Sequence, residues 1–294
     1  MDKVKDGGRQ IAAGGCAGLV EVSLMHPLDL LKTRLQIGGG HFTGLADCFQ
    51  KTLRKEGALG FYKGILPPIL AETPKRATKF FTFEQYKKAS EQLSTFLPLW
   101  SRLSLAGLCS GLTEAFVICP FEVIKVRLQS EHNVTLQEQK STASVAREII
   151  RTKGLGLNGL YLGLGPTLYR HGVWNMIYFG LYHNMRNFLS ATTVPIQNQY
   201  GDIAMRLLLG FTAGTLASIA NIPFDVAKSR VQGPQPSTGR IYHSTWQTVF
   251  LVRKQEGFKT LYRGLVPKVM RLGPGGGIML VVYETVYDFL QRHT

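Results

Sequence analysis

The sequence predicts an all-α membrane protein with six transmembrane helices, set out as three parallel pseudo-threefold repeats, each carrying an extra short helix. Three observations carry this. A ten-residue phrase occurs three times, as PLDLLKTRLQ at 27–36, PFEVIKVRLQ at 120–129 and PFDVAKSRVQ at 223–232. The copies stand 93 and 103 residues apart in a chain of 294, so they divide it into thirds. Each third also holds two long apolar stretches broken by occasional polar side chains, and a second phrase after the first: EGALGFYKG at 56–64, KGLGLNGLYLG at 153–163 and EGFKTLYRG at 256–264. A period this long marks an array of structural units, each too large to be a single element. The units run 1–98, 99–192 and 193–294 and together make one domain.

The first apolar stretch of each unit lies at 11–35, 103–127 or 207–230. Each opens after a basic residue (Arg9, Arg102, Arg206) and contains a Gly-xxx-Gly step: Gly14/Gly18, Gly107/Gly111 and Gly210/Gly214. Small residues at this spacing let helix backbones approach closely in a bilayer. These helices are expected to break or kink at Pro27, Pro120 and Pro223, because proline removes a backbone donor. Short helices follow near 43–55, 143–152 and 244–255, each stopped by a glycine at 57, 154 or 257. The second stretches, 65–89, 165–189 and 265–290, carry Pro74, Pro166 and Pro274. Two spans per unit return the chain to its starting side. The repeats must therefore be parallel about an axis along the membrane normal, with both termini on one side and room for a central cavity.

Composition alone is equivocal. Hydrophobic residues make up 45% of the chain, mean hydropathy is +0.02, and no window holds 20 uninterrupted apolar residues, which a simple hydropathy reading asks for. Helices with one wet face and one lipid face have this composition, and so do amphipathic soluble bundles. The 32 glycines, concentrated in the apolar stretches, favour the bilayer, since glycine costs about 1 kcal/mol in a water-exposed helix interior. Charge inside a span costs roughly 2.5–3.5 kcal/mol and belongs at a cavity or a partner. The net charge of +15 is scattered over all three repeats, with no polybasic tail, helix-turn-helix or zinc pattern, so nucleic acid is not the expected partner. A basic cavity for anions, with basic ends against anionic lipid, fits better. Cys16, Cys48, Cys109 and Cys119 show no metal spacing and are expected to be reduced, buried thiols. The segment MDKVKDGGRQ is too short and polar for a cleaved signal, which leaves targeting to internal segments.

The phrase Pro-x-acid-x-x-base-x-base with its glutamine, together with the downstream acid-Gly-x4-aromatic-base-Gly, resembles the signature of the mitochondrial carrier family over essentially the whole chain. The resemblance implies six helices in the mitochondrial inner membrane, short helices on the matrix side and a single central substrate site, and a monomer is expected. The stretches GILPPILAETPKRATKFFTFEQYKK at 64–88, NIPFDVAKSRVQGPQP at 221–236 and MRLGPGG at 270–276 are similar to members that carry 2-oxodicarboxylates. The implied activity is antiport of C5–C7 2-oxodicarboxylates such as 2-oxoadipate and 2-oxoglutarate. A 2-oxoglutarate/malate or tricarboxylate exchanger is the alternative within the family, and a proton-leak or non-transporting member the alternative outside transport. No nucleophile–base pair or metal cluster suggests an enzyme, and no cofactor is called for. GPGGG at 273–277 lacks the strand and the Lys-Ser/Thr of a phosphate loop and reads as a close-packing element.

Asp29 and Lys32 taken alone would be a helical i,i+3 pair worth a few tenths of a kcal/mol, of the order of 0.2–0.5. Three copies at one depth favour a ring in which each acid bonds the base of the next odd-numbered span: Asp29 with Lys125, Glu122 with Lys228, and Asp225 with Lys32. Gln36, Gln129 and Gln232, one turn further on, would brace the pairs. The resemblance implies that this ring is the matrix gate. It also implies a cytoplasmic gate of aromatic-acid-x-x-base near the ends of the even-numbered spans, and here that pattern is degraded. Glu84 and Lys87 keep it, His183 replaces an acid beside Arg186, and Tyr287 replaces a base beside Glu284. Only Arg186–Glu284 would be a full ion pair, and Tyr287 could bond Glu84. Such a gate is weak, and the empty carrier is expected to rest open to the cytoplasm.

Between the gates, Arg170 and His171 lie 13 and 12 residues before His183, and Arg271 lies 13 before Glu284, about 20 Å along the helix at 1.5 Å per residue. Two arginines at one depth with no fixed partner would grip a carboxylate at each end of one molecule. Arg170 could instead reach an interface, and His171 could simply satisfy a helix contact. The resemblance favours binding, with His171 on the 2-oxo group and Lys79 and Asn175 lining the cavity. Tyr62-Lys63-Gly64 and Tyr262-Arg263-Gly264 resemble family sites for cardiolipin phosphates. The second repeat departs from them, with Lys153 for the acid and Leu162 for the base.

Overall fold

A computed structural model describes residues 2–37, 42–91, 97–131, 136–192, 199–235 and 239–293. The expected boundary at 192/193 falls where a described segment ends. Among the described residues there are six long helices, α1 (Asp2–Ile37), α3 (Leu66–Glu91), α4 (Leu99–Ser130), α6 (Leu164–Thr192), α7 (Gln199–Gln232) and α9 (Leu265–His293), and three short ones, α2 (Leu45–Glu56), α5 (Thr142–Lys153) and α8 (Thr245–Glu256). Even the shortest long helix, α3 with 26 residues, reaches about 39 Å at 1.5 Å per residue, which exceeds a hydrocarbon core of about 30 Å. Three runs, Leu99–Ser130, Gly201–Gln232 and Phe258–Arg292, are long and apolar enough to cross a membrane by themselves. Of the other three long helices, α1 and α3 carry more charge and α6 carries histidine, asparagine and tyrosine instead, and the surfaces show where these groups go.

The chain is apolar outside and polar inside. Leu24, Leu70, Phe81, Phe116, Leu208 and Val281 are each more than half exposed, whereas Asp225, Glu114, Asn175, Asn221 and Arg34 are buried. A water-soluble domain distributes these residue types the other way round. In a bilayer the exposed band meets lipid and the charges face one another. Cys48 and Cys119 are buried, but Cys16 is exposed and Cys109 half-buried, so the expectation of four buried thiols fails at α1, whose Cys16 lies on the outer face.

The six long helices close a ring. α1 packs on α9 and α3, α3 on α4, α4 on α6, α6 on α7, and α7 on α9, while α1, α4 and α7 also touch one another pairwise. The odd-numbered spans therefore converge on the axis at one end. Their prolines do not break them: α1, α4 and α7 run as continuous helices through Pro27, Pro120 and Pro223. Packing against neighbouring helices holds the turn whose hydrogen bond the proline removes. The short helices all end at a glycine with positive φ, of 72°, 77° and 88° at Gly57, Gly154 and Gly257, whose N–H caps the last turn. Only the second Gly-xxx-Gly step is tight. A Cβ at Gly111 would stand 2.4 Å from the His171 carbonyl oxygen, and one at Gly107 would stand 2.8 Å from that of Asn175, whereas Gly14 has open space. Close approach of α4 to α6 thus fixes the backbone beneath His171 and Asn175.

Candidate functional site

At the convergent end, Lys125 Nζ lies 3.0 Å from Asp29, Lys32 Nζ 2.9 Å from Asp225, and Lys228 Nζ 3.3 Å from Glu122. The structure thus brings together the three pairs that the repeat spacing suggests. Each carboxylate also takes a second cation from an even-numbered span. Lys268 donates to Asp225 at 2.7 Å, Arg271 to Asp29 at 2.6 Å, and Arg170 to Glu122. Asp225 is 1% exposed and sees a third cation, with Arg170 Nε at 3.8 Å. The ring is consequently a network of three acids clamped by at least six bases, in which each bridge ties an odd-numbered span to an even-numbered one as well as to its odd-numbered neighbour. Arginine suits the shared position because its planar fork can serve two acceptors at once.

The glutamines do not brace these pairs. Gln36 Oε1 accepts from Ser229 at 3.0 Å, Gln232 Nε2 donates to the Leu162 carbonyl at 3.1 Å, and the Gln129 side-chain amide has no hydrogen-bond partner among the described residues. The even-numbered spans already supply the second donor to each acid, and the glutamines, one turn deeper, meet Ser229 and the backbone at the start of α6 instead.

Beneath the ring each odd-numbered span carries a further arginine. Arg34 donates to Glu56 at 2.8 Å and to the Gln129 carbonyl at 3.3 Å, and Lys63 adds an ion pair to Glu56 at 2.8 Å. Arg230 repeats the arrangement, on Glu256 at 2.7 Å and on the Gln36 carbonyl at 2.8 Å. These latches join a short helix to the end of the neighbouring odd-numbered span. Lys63 is fully buried and pairs with Glu56, whereas Arg263 in the third repeat is half-buried.

Above the ring, a cavity of about 340 Å³ is lined by Arg170, His171, Asn175, Lys79 and Arg271 together with Glu21, Arg76, Glu114, Trp174, Asn221 and Lys268. All five residues assigned to the substrate from the sequence face it. The expectation that both arginines lack a fixed partner is wrong, however. Arg170 is held by Glu122, and Arg271 is held by Asp29 and, at 3.0 Å, by Glu21. An unpaired guanidinium in a low-dielectric setting is too costly to leave empty, and the nearest carboxylates close on it. Arg76 completes this tier, bonded to Glu72 and, at 2.5 Å, to Glu21.

His171 sits in a defined relay. Its Nδ1 is 3.2 Å from Glu114 Oε1, and its Nε2 meets the Arg170 guanidinium. Guanidinium can only donate, so the two contacts together fit the neutral tautomer that donates from Nδ1 to Glu114 and accepts at Nε2. Asn175 donates to the other oxygen of Glu114 at 3.1 Å. Lys79 has its ammonium 4.8 Å from the centre of the Trp174 ring, a cation–π contact. A second cavity of about 150 Å³ lies at the ring itself. Across the two cavities, nine cationic side chains face six carboxylates, an excess of three positive charges.

At the opposite end Glu84, Arg186 and Glu284 are exposed. Lys87 lies 3.9 Å from Glu84 on its own helix, and His183 bonds Asn187 on its own helix at 3.0 Å. Among the described residues no salt bridge joins Arg186 to Glu284, so the one full pair anticipated there is not formed. Exposed pairs contribute only about 0–1 kcal/mol, too little to hold this end shut. The cavity is therefore shut by charge at one end and open at the other.

Comparison with known proteins gives a consistent picture. The sequence matches the family described as mitochondrial carrier protein three times, at residues 5–93, 97–193 and 201–294. It is 53% identical to the mitochondrial 2-oxodicarboxylate carrier of Homo sapiens over 99% of this chain and 97% of that protein. It is 40% identical to the probable mitochondrial 2-oxodicarboxylate carrier of Schizosaccharomyces pombe, covering 96% of this chain and 93% of that one. A mitochondrial citrate transporter D of Aspergillus niger is 38% identical over 97% and 95% of the two chains.

Proposed function

This chain belongs to the mitochondrial carrier family, and from that premise we propose that it is an antiporter of the mitochondrial inner membrane that exchanges C5–C7 2-oxodicarboxylates by alternating access. Members of the family are transporters, and the activity of this chain is transport rather than catalysis. The observation that carries the proposal is the pair Arg170 and Arg271, on two different helices that line a cavity with three excess positive charges. Two bidentate grips around one axis suit a molecule with a carboxylate at each end. His171, accepting from Arg170, positions that guanidinium. Lys79, poised over Trp174, supplies the donor for the 2-oxo oxygen.

The ring gives this binding a consequence. Arg170 and Arg271 are also the cross-links from the even-numbered spans to Glu122 and Asp29. A dicarboxylate that takes both guanidiniums removes two of those cross-links. The ring is then left with its lysine pairs alone and can part on the matrix side. A ligand shifts such an equilibrium only by its differential affinity for the two states, and here the substrate carboxylates replace protein carboxylates only as the gate loosens. Without a dianion the excess charge resists enclosure, so return of the empty carrier is disfavoured and exchange is obligatory. In the lipid, Arg263 and its neighbours are the place for a cardiolipin phosphate.

A charge excess of three also fits a tricarboxylate, the named cargo of one relative. Proteoliposomes loaded with C5, C6 or C7 oxodicarboxylates, malate, citrate or ADP decide between them. The expected result is rapid uptake of labelled 2-oxoadipate against internal 2-oxodicarboxylate and little against citrate or an empty interior. Faster exchange with citrate would move the assignment to the tricarboxylates, and uptake without internal substrate would remove the antiport reading.

A further inference from the structure

The threefold pattern of latches is broken in one place. Arg34 and Arg230 each meet a glutamate at the end of their own short helix and a backbone carbonyl on the next odd-numbered span. Their counterpart in the second repeat is Arg127, and the position equivalent to Glu56 and Glu256 is Lys153. A cation thus stands where the fold elsewhere puts an anion. A third cation joins them from the segment after α7: Arg240, braced by a hydrogen bond from its Nε to the Tyr242 carbonyl at 2.9 Å. All three line one cavity of about 720 Å³, with Thr152, Asn158 and Gln235. Among the described residues none of the three cations has a carboxylate within ion-pair distance. This is a concave basic site made by three separate elements, and it lies apart from the central cavity.

We infer that Arg127, Lys153 and Arg240 bind a phosphate group, which takes the place of the missing glutamate and latches α5 to α4 and to the segment after α7. Several features favour a tetrahedral oxyanion over a second carboxylate substrate. Three cations come to it from three separate elements, where a planar carboxylate is met by one fork. Asn158 already accepts from Arg240 at 3.5 Å through its Oδ1, which turns its amide N–H₂ free to donate. Burial, and the positive charges of Arg127 and Arg240, hold the Lys153 ammonium below its ordinary pKa, as expected where like charges are gathered without a counterion. The phosphate has two possible sources, free phosphate and the headgroup of an anionic phospholipid, and both satisfy the same chemistry.

The test uses the purified full-length protein, stripped of lipid in detergent, and reads thermal unfolding. Inorganic phosphate is added in one arm and cardiolipin in the other, each against chloride at matched ionic strength, because screening alone also relieves like-charge repulsion. The Lys153→Glu variant restores the pattern of the other two repeats. It is expected to unfold at a higher temperature than the natural chain without ligand, and to lose the ligand-dependent rise, of about 2–4 °C in the natural chain for a well-occupied site. Arg127→Gln is expected to lose the rise without that gain. A rise with free phosphate identifies a soluble oxyanion site, and a rise with cardiolipin alone identifies a lipid headgroup site. A rise equalled by chloride, or one that persists undiminished in Lys153→Glu, would overturn the inference. Neither variant touches the central cavity, so exchange by Lys153→Glu should stay within about twofold of the natural rate, a change of under about 0.5 kcal/mol by the usual conversion.

Discussion

Replacing Arg170 or Arg271 with alanine is expected to lower 2-oxodicarboxylate exchange by at least about a hundredfold, because removing one member of a buried, charge-assisted pair costs roughly 3–5 kcal/mol and here the partner left unpaired is the substrate's carboxylate. The fold should survive. Without Arg170, Glu122 keeps Lys228 and Asp225 keeps both Lys32 and Lys268. Without Arg271, Asp29 keeps Lys125 and Glu21 keeps Arg76. Lysine at either position retains the charge and loses the fork, and should recover only a small part of the rate. The measurement is initial exchange rate in proteoliposomes beside the thermal unfolding of the same preparations. Undiminished exchange in Arg170→Ala would refute the site.

Asp225→Ala should have the largest effect on stability. Asp225 is the most buried ring acid, 1% exposed, and it satisfies Lys32 at 2.9 Å and Lys268 at 2.7 Å while facing Arg170. Its loss leaves three cations without their shared counterion, a penalty expected in the range of about 3–5 kcal/mol, read as a steep fall in unfolding temperature. Charge exchange offers a sharper test of the network. For an isolated pair, Lys32→Asp with Asp225→Lys would restore the interaction. Here the transplanted lysine would face Lys268 and Arg170, so rescue should be poor. Adding Lys268→Gln to the double variant should improve it. Full rescue by the double variant would show that Lys268 and Arg170 are bystanders.

The legibility of this chain follows its symmetry. The repeat of Pro27, Pro120 and Pro223 gives the six spans, the three short helices and the cyclic partners of Asp29, Glu122 and Asp225, because residues related by an axis share depth and direction. The same logic would have found Glu21 and Glu114, which stand 93 residues apart like the prolines, with Ala217 as the third member. They were missed because they fall in the middle of apolar stretches rather than in the repeated phrase. Symmetry gives no information where the repeats differ. Lys268, Arg76 and Trp174 line the cavity once each, and only coordinates show that Lys268 belongs to the ring. Nor does a period report side-chain choice. It placed Arg170 and Arg271 at the right depth and could not show that, without substrate, they turn to the ring carboxylates. It placed Gln36, Gln129 and Gln232 one turn on and could not show that Gln36 turns to Ser229 and Gln232 to the Leu162 carbonyl rather than to the ion pairs.

These differences bear on how the carrier works. If the arginines waited unpaired, substrate binding and gate opening would be separate events. Because they are shared with the ring, one event accomplishes both, and the cost of separating Glu122 and Asp29 from their arginines is offset by the incoming carboxylates. The open mouth, with Glu84, Arg186 and Glu284 in solvent, is the other half of this arrangement. Little electrostatic energy holds that end shut, so the unliganded protein is expected to rest with its cavity facing it.

The most direct measurement is sidedness of access. A single cysteine at Leu272, which lines the cavity, is introduced into a chain in which Cys16, Cys48, Cys109 and Cys119 are replaced by serine, and it is labelled in oriented vesicles with a membrane-impermeant reagent. Without substrate, the account predicts labelling from the side of Glu84 and Glu284 and none from the side of the Asp29–Lys125 ring. Saturating 2-oxoadipate should then open labelling from the ring side. Labelling of the empty protein mainly from the ring side would contradict it.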